Sequence, residues 1–152
     1  MSRSTIAFVL LVAVCRPCKA QTPPGPAPVM DTGELMSLML EPLYNELKQA
    51  LEAPPRDRKE WARIYQAAVR LAEADNLLFF RTPGRHTTDP AWASAAAAAR
   101  QAAADLGAAT FVALRNVRNA DFAPLKLRLA VVADTCNACH RALKTDAKTV
   151  LP

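Results

Sequence analysis

Between Leu125 and Leu143 the apolar positions fall four and three residues apart in turn: Leu125, Leu129, Val132, Cys136, Cys139 and Leu143. That alternation keeps them on one side of an α-helix, as the seam of a packed bundle helix, and does not suit a strand, whose faces alternate at every residue. The seam carries Cys136-Asn137-Ala138-Cys139-His140, a C-x-x-C-H. On a helix these cysteines and the histidine stand at i, i+3 and i+4 and share one face. In an exported chain the pattern reads as a c-type haem attachment site, two thiols bonding the vinyl groups and the adjacent imidazole ligating iron. A zinc half-site, a redox pair or a short disulfide is the alternative meaning of the same two cysteines.

Export is expected from the N-terminus. Arg3 is followed by an apolar run from Ile6 to Val14 and then by Cys18-Lys19-Ala20, which resembles a signal-peptidase site. Residues 1–20 are therefore expected to be a cleaved leader that delivers the chain to the periplasm or another exported compartment. The run is too short to remain as a membrane-spanning helix. Acylation of Cys15 or Cys18 is the lipoprotein alternative, with Val14 and Pro17 standing where a small residue is expected. Loss of the leader removes Arg3, Arg16 and Lys19 and no acid, so the net charge falls from +5 to +2. No basic run interleaved with aromatics remains to suggest nucleic acid.

Residues 21–30 include four prolines and read as a linker, leaving 31–152 as one domain. Asp31 with Glu34 predicts a capped helix start, and Leu35, Met36, Met39, Leu43, Leu47 and Ala50 make its inward stripe. Pro42 predicts a kink or break near Glu41. Asp57 with Glu60 caps a second helix, with Trp61, Ile64, Ala68, Leu71 and Leu78 inward and its end near Phe80. Residues 81–88 read as a loop. Asp89-Pro90 opens an Ala-rich third helix that continues past Gly107 with Phe111, Leu114 and Val117 as its apolar face. Asp121 caps the last helix, with Pro124 in its first turn. With no alternating strand and short connectors, the expected fold is all-α, an antiparallel up-down-up-down four-helix bundle.

A leader, four helices and a C-x-x-C-H on the last of them resemble cytochrome c′ and its low-spin relatives, the class II cytochromes c. The resemblance spans residues 31 to about 148 and is sharpest over Cys136 to Lys144. It implies covalent haem c with His140 as the proximal iron ligand and Lys144 near the haem edge; Leu143 stands where the family usually has an aromatic. It also implies that the first helix supplies the opposite side of the iron. The Leu35-Met36-Ser37-Leu38-Met39 run resembles the distal segment, so Met36, with Met39 as second choice, is the candidate sixth ligand, although Met on an apolar stripe ordinarily packs. A Met/His iron suits electron transfer, and a vacant distal face suits binding of small gases. The resemblance further implies a homodimer through the first two helices, a surface that Pro42 interrupts.

Other residues carry less. His86 lies in the Pro-Gly loop and is expected at the surface. Arg81 and Arg85 are candidates for haem propionates or solvated charges, Trp61 and Trp92 for core or cavity wall, and Phe79 and Phe80 for haem contact or end packing. No phosphate loop, nucleophile elbow or further metal-spaced cluster is present, so no enzyme is expected and the chemistry falls to haem iron. A peroxidase is disfavoured, because the first helix offers no distal His or Arg. The expected function is single-electron exchange with a redox protein or a small-molecule oxidant or reductant, through a haem edge near Cys139 and Lys144. The alternative is binding of NO or CO by five-coordinate iron.

Overall fold

Asp31 sets where ordered helix begins. Its carboxylate accepts from the Glu34 backbone N–H at 2.8 Å while Glu34 Oε2 accepts from the Asp31 N–H at 2.9 Å, closing the expected capping box. In the computed structural model, which describes residues 28–80, 90–142 and 150, α1 (Thr32–Leu35) runs into a π-helical turn (Met36–Leu40) and on into α2 (Glu41–Ala50) as one rod. Then come α3 (Arg58–Asn76) with a 3-10 turn (Leu77–Phe80), α4 (Pro90–Arg115), a short 3-10 turn (Val117–Asn119) and α5 (Ala123–Ala142). No strand occurs among the described residues. The described residues are all-helical, with four helices when the first rod is taken as one.

The π turn has a local cause. Pro42 has no N–H for the Leu38 carbonyl and its ring would crowd that oxygen in a regular helix. One residue earlier, the Glu41 N–H reaches back five residues to the Met36 carbonyl, which widens the turn. The extra residue rotates everything downstream. The buried positions are Leu35, Leu40, Tyr44, Leu47 and Leu51, while Met36, Met39, Leu43 and Ala50 are half-buried against the same core. The expected stripe is thus corrected by about one residue beyond the turn.

On α3 the stripe is as expected, with Trp61, Ile64, Ala68, Leu71 and Leu78 all buried. Asp57 accepts from the Glu60 N–H at 2.8 Å, but the Glu60 carboxylate returns to the Arg56 backbone and guanidinium instead of to Asp57. Helix α4 departs from expectation. Its inward face is Trp92, Ala96, Ala103, Leu106, Thr110 and Ala113, whereas Phe111 is 44% exposed and Leu114 and Val117 are only half-buried. The buried Thr110 hydroxyl is satisfied by the Leu106 carbonyl at 2.8 Å, so a threonine can take the inward place and turn Phe111 outward.

Packing follows the chain. Helix α3 packs most extensively on α4, α5 packs on α4, and the first rod packs on α3. Two bonds between ends show that α3 and α4 run antiparallel: Trp92 Nε1 donates to the Leu78 carbonyl at 2.8 Å, and Arg58 Nη1 donates to the Leu114 carbonyl at 3.2 Å. Gly107 lets the pair approach closely, since a Cβ there would already meet Val69 Cγ2 at 3.4 Å. Lys126 Nζ donates to the Glu52 carbonyl at 3.3 Å, joining the start of α5 to the turn after α2. Between the first rod and α5 there is no comparable helix-on-helix packing.

Candidate functional site

Asp121 accepts from the Ala123 N–H at 3.0 Å and starts α5, with Pro124 in the first turn as expected. Leu125, Leu129, Val132 and Ala133 bury that helix against α4. The buried stripe then reaches the motif, where Cys136, Cys139 and His140 are each half-buried and the Nδ1 of His140 is buried. The two cysteines are free thiols. Cys136 packs on the same core as Met36 and Met39. Leu143, Lys144, Arg81, Arg85, His86, Cys15 and Cys18 lie outside the described residues. Trp61 and Trp92 are core residues, and Phe79 and Phe80 are exposed.

Two groups that the sequence reading passed over belong beside the motif. Asp75 of α3 is 5% exposed, and its charge acts on both Cys136 and Cys139. Burial pushes its carboxyl up from 3.8 to about 7. Tyr44 of α2 is buried and lies close enough to feel Cys136; burial first, and that thiol second, push its phenol up to about 12. Both were findable. Asp75 sits at a stripe position, between Leu71 and Leu78 at the spacing of a core residue, and a carboxylate there is out of place. Tyr44 falls on the stripe only once the π turn is counted.

Electrostatics sort the chemistries open to the two cysteines. Burial, then Asp75, then Cys139 push the Cys136 thiol up to about 12, and burial and Asp75 raise Cys139 as well. Both sit in the last two turns of α5, where the helix dipole also disfavours a thiolate. A redox C-x-x-C needs the opposite, a lowered thiol pKa at a helix N-terminus. Zinc needs thiolates and further donors, and no group of three or more His, Cys, Asp or Glu is placed to hold a metal ion among the described residues. Neutral, half-buried thiols at the edge of the core, beside Asp75 and Tyr44 and with an imidazole one residue on, fit attachment to a flat, largely apolar group. The donor set therefore fits haem.

Asn137, inside the motif, has its own task. Its amide nitrogen donates to the Val150 carbonyl at 2.8 Å and its oxygen accepts from the Val150 N–H at 2.8 Å, so it holds the chain's end against α5 beside the thiols. No family model, curated protein or solved structure matches this chain. The site must be read from its own residues.

Proposed function

We propose that this chain is an exported c-type cytochrome of single-electron transfer, a class II-like up-down-up-down bundle with haem held in its helical interior. The carrying observation is the C-x-x-C-H itself, set where the buried seam of α5 meets the core, with both thiols free and neutral. Cys136 and Cys139 would each add S–H across one vinyl double bond, and His140 would ligate the iron. Bound haem supplies the Fe(III)/Fe(II) couple. Met36 and Met39, packed on the same core as Cys136, are the candidates for the opposite iron position, and Lys144 for the haem edge. The first rod and α5 make little close backbone contact and border one core through their side chains, which supports that core as the place of a group attached to α5.

Denaturing haemochrome spectroscopy tests the reading. The purified protein is expected to keep its haem through denaturation, and the Cys136→Ala, Cys139→Ala variant to lose it. Covalent haem retained by the double variant refutes the proposal. A second reading, a five-coordinate haem that binds NO or CO, draws on one observation: the deepest side chains flanking the π turn are Leu35 and Leu40, not the methionines. Sharp low-spin ferrous bands without carbon monoxide binding exclude it. A high-spin spectrum with ready binding excludes Met ligation instead.

A further inference from the structure

Asn137 stands between the two cysteines and has no bond to make to haem or iron. Its side-chain amide instead grips the main chain of Val150 at two points, donating to the carbonyl and accepting from the N–H, both at 2.8 Å. A carboxamide suits this, because it carries a donor and an acceptor side by side, as a neighbouring β-strand would. The grip solves a burial problem. Val150 is half-buried and packs on the hydrophobic core that Cys136 also borders, and it belongs to no helix that could pair its N–H and C=O. Set against an apolar surface without partners, both groups would be costly.

The same grip decides where Val150 lies. Helix α5 ends at Ala142, so Val150 stands about 7.5 Å back along the helix axis, level with Asn137. Asn137 shares the buried side of α5 with Ala133, four residues before it and 1% exposed, and with His140, three residues after it. Val150 is thereby held at the motif, on the side of α5 that carries the imidazole. We infer that Asn137 is a positioning residue that fixes Val150 as a wall of the haem site and keeps water from the His140 side of the iron. The inference rests on the cytochrome reading. Water favours oxidised iron, with its extra positive charge, so an apolar wall favours the ferrous form and raises the reduction potential. Asn137 acts only through Val150, whose side chain supplies the apolar surface.

Hydrogen exchange and redox titration of the haem-containing protein test it together. The Val150 amide should be protected in the wild type and unprotected in Asn137→Ala, which loses both bonds. Asn137→Ala should also lower the midpoint potential, cutting the ferrous-to-ferric ratio at a fixed potential by roughly threefold or more. Val150→Ala, which leaves the motif and the grip intact, should shift the potential the same way. The double variant should match Asn137→Ala, because a wall already released has nothing more to lose. An unprotected Val150 amide in the wild type, an unchanged potential in Asn137→Ala, or additive losses in the double variant each overturn the inference, while covalent haem retained through denaturation keeps the cytochrome reading standing. A wild type without covalent haem overturns both.

Discussion

Asp75 carries a carboxyl into a buried site beside Tyr44, Cys136 and Cys139, where burial is the cause of its raised value. Burying the ionised form is costly, and protonation avoids that cost. Because the folded-state value is raised from 3.8 to about 7, folding takes up a proton within that window. Stability from this residue is therefore complete below about pH 4, falls as pH rises, and levels off above about pH 7. The neutral isostere in Asp75→Asn removes the slope. The variant is expected to exceed the wild type by about 2–4 kcal/mol at pH 8 and to match it near pH 4. Urea unfolding at the two pH values checks this, and parallel pH profiles for the two proteins would contradict it.

At the scale of the element, the π turn is an inserted residue that the rest of the first rod has been built around. Leu35 and Leu40 are both buried five apart, and Leu40, Tyr44, Leu47 and Leu51 then resume four-three-four spacing. With Pro42→Ala, so that no ring crowds the preceding turn, removing Leu38, which is 66% exposed, would leave the two halves joined by a regular α-turn with both stripes still inward. That deletion is expected to cost less than about 1 kcal/mol in thermal or urea unfolding. Removing Asn45 from α2, by contrast, would swing Leu47 and Leu51 out of the core and cost about 4 kcal/mol. Equal losses would show that the π turn does not set the register. The same element marks what sequence reasoning could and could not reach. The caps at Asp31, Asp57 and Asp121, and the stripes of α3 and α5, were legible because each depends on residues a turn apart. Pro42 announced a disturbance near Glu41, but a kink, a break and an added residue share that signature, so Tyr44 was missed. Likewise Phe111 reads as core by composition, and only the hydrogen bond that lets Thr110 bury itself shows why it faces outward. The motif's cysteines and histidine were fully visible, whereas the Asn137–Val150 clamp needed the chain's end to be seen folded back.

Across the whole molecule, cohesion is uneven. Helices α3 and α4 pack on each other along their length, with the small side chains of Ala68 and Ala103 and with Gly107 buried among them. The first rod leans on α3 and α5 leans on α4, while rod and α5 share little direct packing. Among the described residues each outer helix thus leans chiefly on one neighbour, and the thiols of α5 and the methionines of the rod border the same core. Local opening free energy scales with such packing, so amides in Thr32–Ala50 and in the second half of α5 should exchange faster than those of α3 and α4 in the Cys136→Ala, Cys139→Ala protein. A group bonded to α5 and packed against the rod would supply the missing contact and raise protection in both at once, by binding only the folded arrangement. Hydrogen exchange on wild-type and double-variant proteins checks this element by element. Added protection confined to α5 would mean that the rod does not close over the site, and it would remove Met36 and Met39 from candidacy together.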